Sequence, residues 1–427
     1  MSNLKNYTSV VLYYLRYNKV ETLIFILSTL ALFYSILDYI ISINKDGQKW
    51  IKIIITGAIF VTNFINWIYK SHKNKTNGYV ITNIPIDYKK TIPETNYKIE
   101  GYKTNNGINY ITYSDILNQE LIECNNRTIK IKIDNDKKKS IHEFIKKNFK
   151  HLFLFIKSYC AESLTTNRNI YNESKLCLSK DIKMNDSVYC YKNSYYDSIV
   201  TNMTVNKQLT KSNNREIIFK HPENAYLENN KIKSITCTKL NNHIGVSTIA
   251  ITKDNYIFLW IQNDKSMSSI GLIAPSGSGS CDWKDFIADD FIKTIKNAMK
   301  RELIEESMHK RNNNKIESKT LITGFFRWLD KGGKPEFVGI TKLNIYITNL
   351  RANINEVMEP NMHIKKTSLN NNFGTLQEFE TLLKDLLNNK AVSVPLHYNI
   401  NTILSTIKTN PTLIENFINH QFEIESK

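Results

Sequence analysis

Two apolar stretches follow one another near the amino terminus, Thr22 to Ser42 and Ile51 to Tyr69. Each is close to the ~20 residues an α-helix needs to cross the hydrocarbon core of a bilayer. The link between them, Ile43 to Trp50, is short and forces an antiparallel hairpin. A secretory leader does not fit, because the first run starts only at Thr22 and a second follows it. Lys5, Arg16 and Lys19 precede the pair and Lys70, Lys73 and Lys75 follow it, while the link sets Lys45 and Lys49 against Asp46. Positive charge favours the cytoplasmic side, so both ends are expected there, with two spans in the cell inner membrane. Trp50, Trp67 and Tyr69 fall where interfacial aromatic rings belong. Asp38 either reaches the headgroups or joins Asn63 and Asn66 in a polar seam between assembled hairpins. Two helices enclose no pore, so a membrane lesion would need a homo-oligomer.

The remainder of the 427 residues has a globular composition and room for two or three domains. The formal net charge of +17 suits anionic lipids or ligands. Lys, Asn and Ile are abundant throughout, so the balance reads first as a compositional bias. Cys124, Cys160, Cys177, Cys190, Cys237 and Cys281 form no Cys-x-x-Cys pair and have no His at zinc-finger spacing. That excludes a disulfide framework and points to reduced thiols.

Residues 76–165 read as a juxtamembrane connector. Within it, Lys137 to Ala161 carries Ile141, Phe144, Ile145, Phe149, Leu152, Phe153 and Ile156 at helical spacing among lysines. A core helix with solvated lysines is the preferred reading over one lying on a membrane. Leu176 to Thr210 is strand-like and rich in tyrosine; Tyr196 and Asn202 are its candidate ligand contacts.

Residues 242–390 carry the chemistry. Strand patterns at Ile244 to Ile251, Tyr256 to Trp260 and Ile270 to Ala274 lead into a small-residue loop, Pro275-Ser276-Gly277-Ser278-Gly279-Ser280. A helix expected over Asp282 to His309 then holds Arg301-Glu302-Leu303-Ile304-Glu305-Glu306, and strands follow at Leu321 to Trp328 and Phe337 to Thr348. Glu302 stands three residues from Glu305 and four from Glu306, which puts the carboxylates on one face. Like charges so close require cations. Arg301 is one; Mg is the other, held by Glu302, Glu305 and Glu306 and able to support pyrophosphate cleavage. Gly332-Gly333-Lys334-Pro335-Glu336-Phe337 reads as a hairpin turn whose amides, with Arg327 and Lys334, could meet a phosphate while Glu336 could read a base or hold a metal.

Arg301, Glu302, Leu303, Glu305 and Glu306 resemble the Nudix signature. Lys293, Ile287 and Met308 depart from it where that family has Glu, Gly and Gly, and Gly279 lies too far upstream. Taken with the paired apolar stretches, the loop Ala274 to Ser280 with Cys281, Asp282 and Trp283, and Gly332 to Phe337, the chain resembles the transmembrane–Nudix effectors of CBASS, bacterial anti-phage systems in which a CD-NTase makes a cyclic nucleotide. The resemblance implies an α/β Nudix-like sandwich (166–400) preceded by a two-helix transmembrane hairpin (1–75), with a helical tail (401–427). It implies binding of a cyclic di- or trinucleotide by Ser276, Gly277, Ser278, Gly279, Arg327, Lys334, Glu336, Tyr196 and Asn202. Oligomerisation and disruption of the bilayer would follow. The partners expected are that nucleotide, the lipid bilayer and further copies of the chain, not a DNA or RNA duplex. The competing expectations are a membrane-anchored Mg-dependent hydrolase of a nucleoside-diphosphate compound and a plain anchored scaffold.

Overall fold

A computed structural model describes residues 2–17, 27–36, 54–59, 78–105, 107–166, 172–184, 187–222, 225–262, 269, 271–307, 316–350, 357–358, 373–389 and 391–422. The chain is a mixed α/β fold organised by a seven-stranded sheet. Its strands are β1 (Lys98–Thr104), β2 (Gly107–Tyr113), β3 (Gly245–Ile251), β4 (Ile257–Phe258), β5 (Gly277–Ser280), β6 (Ser318–Trp328) and β7 (Lys334–Leu343). They lie in the order β4-β3-β7-β6-β2-β1, with β5 pairing with β3 off that path. β3 and β7 are parallel; the other pairs are antiparallel. Every residue of β3 and of β7 is buried, as expected of central strands covered on both faces. A bulge between Ile322 and Gly324 in β6 adds to the curl of the sheet.

The helices are α1 (Ser2–Tyr17), α2 (Asp115–Glu123), α3 (Asn135–Thr166), α4 (Tyr195–Ile199), α5 (Phe291–Ser307), α6 (Leu376–Leu387), α7 (Val394–Thr409) and α8 (Pro411–Ile418). The apolar stripe of α5 packs Ile292, Ile295 and Met299 against Val246, Phe325 and Phe337. On the opposite face, Ile400, Ile403 and Ile407 of α7 meet Ile249, Ile251 and Ile340. Local chemistry sets the boundaries. Asp290 caps α5 by accepting the Lys293 amide at 3.0 Å, and Thr375 with Glu378 forms a capping box on α6.

The membrane expectation is corrected by the structure. Among the described residues no helix is long and apolar enough to cross a membrane. The expected transmembrane hairpin, and the two-span inner-membrane placement that depended on it, are therefore not supported. Asp38, Asn63, Asn66 and much of both apolar stretches lie outside the described residues.

The segment before the apolar stretches belongs to the core. Tyr13 of α1 is buried with Phe149, Phe153, Tyr196 and Leu209. Tyr13 and Tyr17 donate to the buried carboxylate of Asp197, at 3.0 and 2.9 Å. The amphipathic face of α3 is the partner of α1: Ile141, Ile145, Leu152 and Ile156 are all fully buried, so this is a core helix; Lys139, Lys146, Lys147 and Lys150 are exposed, while Lys137 turns in to donate to the carbonyls of Ile235, Thr236 and Thr238. The stretch assigned to a connector also supplies β1 and β2, the latter pairing Thr112 with Arg327 of β6. Helix α7 runs through residue 400, and the expected tail is its last turns plus α8.

Candidate functional site

The acidic element lies along α5, facing β5. Four residues of α-helix rise about 6 Å and two residues of strand about 6.6 Å. Glu302 and Glu306, four apart, therefore match the alternate amides of β5. Ser280 N–H donates to Glu302 Oε1 at 3.1 Å, and Ser278 N–H donates to Glu306 Oε2 at 3.2 Å. The carboxylates bond to amides that β5 does not use in pairing with β3, where a further strand would otherwise stand.

The glycines of β5 permit this approach. A Cβ on Gly277 would lie 2.5 Å from Leu303 Cα, and one on Gly279 would lie 2.2 Å from Glu302 Cδ. Ser276 is fully buried; its hydroxyl donates to the Phe258 carbonyl at 2.5 Å and accepts the Ala250 amide at 2.7 Å.

Arg301 closes the arrangement. Its guanidinium donates to Asp285 through two nitrogens at 2.8 and 2.9 Å, to Glu302 at 3.0 Å, to Glu305 at 2.9 Å and to the Ser280 carbonyl at 2.7 Å. Lys284 adds a bond to Glu305 at 3.2 Å. Burial pushes the Glu302 carboxyl above its usual range, with Arg301 acting against that rise. Burial also opposes ionisation of Asp282, yet Lys175 and then Arg301 more than offset it and hold that carboxyl low.

A Mg ion at Glu302, Glu305 and Glu306 would have to displace the partners that their oxygens hold here. Among the described residues no three or more His, Cys, Asp or Glu side chains are grouped to hold a metal ion. Arginine, lysine and backbone N–H groups take the oxygens of Glu302, Glu305 and Glu306 instead.

A second cluster forms where β3 and β7 begin. Gly245 of β3 pairs with Glu336 of β7, and extending that parallel register by two residues sets His243 beside Lys334. Lys334 makes a buried ion pair with Glu336. Lys331 comes from the turn between β6 and β7, where Gly332 and Gly333 both take positive φ, 62° and 67°. Its ammonium sits 3.7 Å from the centre of the Trp328 ring. Lys175 donates to Asp282 at 2.5 Å and lies over Tyr195 at 5.5 Å; that ring meets His243 edge-on at 5.8 Å. Burial, then Lys334, Lys175 and Lys331, hold His243 well below its usual pKa. Burial and Lys334 bring Lys331 down to about 7.

Lys334, Glu336 and Asn202 are thus brought to one region: Asn202 Nδ2 donates to the Gly332 carbonyl at 3.4 Å and its Oδ1 accepts the Asn242 amide at 3.0 Å. Ser276, Gly277, Ser278 and Gly279 lie along α5 with the glutamates. Arg327 is buried, paired with Glu94 and donating to the carbonyls of Lys233 at 2.8 Å and Gly333 at 3.3 Å, which pins the turn. Tyr196 belongs to the aromatic core around Tyr13, their rings 5.3 Å apart. Sequence reasoning missed Lys175, Lys331 and His243. Lys331 had a signal, being adjacent to the Gly332-Gly333 turn; Lys175 and His243 reach the cluster only through sheet pairing.

No protein-family model matches the chain, and no curated protein matches it. Among solved structures, a protein titled DR0079 from Deinococcus radiodurans is similar at 12% identity over 37% of this chain and 81% of its own, with a TM-score of 0.25. That value is too low to carry an argument about fold or function.

Proposed function

We propose that this chain is a nucleotide-binding effector that recognises a cyclic di- or trinucleotide without hydrolysing it, in a CBASS-type anti-phage system. The observation that carries the non-hydrolytic part is the engagement of Glu302 and Glu306 with the amides of Ser280 and Ser278. In this arrangement the acidic box is a clamp between helix and strand. The nucleotide part rests on the resemblance of Ala274 to Ser280, Arg301 to Glu306 and Gly332 to Phe337 to CBASS Nudix-like effectors. The cationic cluster at the start of β3 and β7 supports it, since Lys331 there has no ion pair among the described residues while Lys175 and Lys334 do, and an unneutralised cation draws anionic ligands. Ligand binding is proposed to drive homo-oligomerisation.

The test mixes the full chain with a panel of cyclic di- and trinucleotides and Mg. Calorimetry reads binding, chromatography follows the nucleotide, and sedimentation reads assembly. Tight binding of a nucleotide that stays intact supports the proposal. Turnover of any panel member, or of a linear nucleoside diphosphate, overturns it in favour of a hydrolase.

A further inference from the structure

We infer that Lys331, Lys334 and His243 form a subsite for a phosphoryl oxyanion at the end of the sheet where β3 and β7 begin. The inference deepens the nucleotide-binding reading above by placing one phosphate of the ligand.

Three observations converge there. The first is charge. Lys175 has Asp282 and Glu173 as ion-pair partners, and Lys334 has Glu336. Lys331 has no ion pair among the described residues; its ammonium rests on the Trp328 ring. Burial and the neighbouring Lys334 depress its pKa, so an arriving anion would restore its charge as it binds.

The second is a pair of orphaned ring nitrogens. His243 is 2% exposed and its Nδ1 has no hydrogen-bond partner. The indole Nε1 of Trp328, the ring that carries Lys331, is also buried without one. Buried polar groups are ordinarily satisfied, and both nitrogens can donate, as a phosphoryl oxygen requires. The third is access. Lys331 is only half-buried on a turn that two positive-φ glycines shape, so its ammonium can leave the indole face to meet a ligand.

Asn202 fixes the position of this turn by donating to the Gly332 carbonyl. Lys175 and Tyr195 border His243 on the other side. A phosphate at Lys331 would therefore sit among side chains already held by the fold, with Lys331 the one that adjusts.

The experiment measures the affinity of the full chain for inorganic pyrophosphate and for the cyclic nucleotide panel by calorimetry. The variants are Lys331→Met and His243→Phe, with Lys211→Met, whose exposed lysine pairs with Glu216 at 2.6 Å, as control. Thermal unfolding checks that each folds; Lys331→Met is the decisive variant should His243→Phe fail to fold. The expected result is pyrophosphate binding that Lys331→Met weakens on the order of tenfold or more, the loss of one charge-assisted contact, and that Lys211→Met leaves unchanged. Absence of pyrophosphate binding, or binding indifferent to Lys331→Met, overturns the subsite. Should a panel nucleotide bind equally well to Lys331→Met, the subsite is wrong while the nucleotide reading survives. Lys331-dependent pyrophosphate binding with no panel nucleotide bound upholds the subsite and removes the nucleotide reading.

Discussion

Ser280 gives its backbone N–H to the carboxylate of Glu302 across 3.1 Å, joining the last residue of β5 to the last third of α5. With the equivalent bond from Ser278 to Glu306, it holds the helix against the open edge of the strand. The pair of bonds requires β5 to have no side chain on the facing positions. Gly277→Ala would drive a Cβ into the backbone of Leu303, and Gly279→Ala would meet the carboxylate of Glu302, which can move. Overpacking of this kind costs about 1–3 kcal/mol. Gly277→Ala is expected at or above the top of that range and Gly279→Ala below it, measured by denaturant unfolding. Equal effects would mean that the helix, not the side chain, yields in both.

Replacing Glu306 separates a clamp from a catalyst. Glu306→Gln keeps an oxygen that accepts the Ser278 amide, so stability should fall by less than about 1 kcal/mol; Glu306→Ala leaves a half-buried N–H unpaired and should lose about 1–2 kcal/mol. Both variants should bind the panel nucleotide as the parent does. A large loss of binding with Glu306→Gln at unchanged stability would place that carboxylate at the ligand.

Arg301 makes five hydrogen bonds, to Asp285, Glu302, Glu305 and the Ser280 carbonyl. Arg301→Met should lose about 3–5 kcal/mol, because it leaves buried carboxylates without their cation. Arg301→Lys should recover only part of this, since an ammonium cannot engage Asp285 in a two-nitrogen fork. Chemical denaturation of the two variants checks the order.

How far these features could be read beforehand depended on their range. The strands of β3, β6 and β7 and the helix α5 were legible from periodicity and the small-residue loop, because each is decided by local pattern. The role of the loop was not: Gly277 and Gly279 looked suited to a phosphate, but their neighbours are Leu303 and Glu302, set by packing of α5. Lys175 and His243 gave no local sign, since pairing brings them in from separate strands. The apolar stretches misled because hydropathy measures a run's composition alone, and among the described residues no helix is long and apolar enough to cross a membrane. The neighbouring α1, polar enough to be passed over, places Tyr13 and Tyr17 on a buried carboxylate.

That helix should matter for stability. Removing residues 2–17 strips Tyr13 from its aromatic neighbours and leaves Asp197 without two phenolic donors and the nearby guanidinium of Arg16. The truncated chain is expected to unfold at a lower temperature and to bind a hydrophobic dye. The single change Tyr13→Phe, which keeps the ring and removes one hydrogen bond, should lose about 1 kcal/mol. An unchanged melting temperature on truncation would show that α1 is not integral to this core.

Acid should destabilise the protein through its buried histidines. His221 lies against Phe219 and Phe144, accepts or donates one bond with Thr204 at 3.0 Å, and burial lowers its pKa to about 4. Its unfolded value is about 6.5. Between these values the unfolded chain binds a proton that the folded one refuses. The contribution is therefore complete above about pH 6.5 and is lost as pH falls toward 4, by up to about 1.4 kcal/mol per pH unit. His243, lowered by burial and by Lys334, Lys175 and Lys331, has the same sign. Glu302 opposes them: its raised pKa favours the folded state below the unfolded carboxyl value of about 4.3, an effect lost as pH rises through the folded value. Unfolding free energies measured from pH 7.5 to 4.5 should decline with falling pH, and His221→Gln should flatten the slope below pH 6.5. A slope identical to the parent's would show that His221 does not titrate in the unfolded chain differently from the folded one.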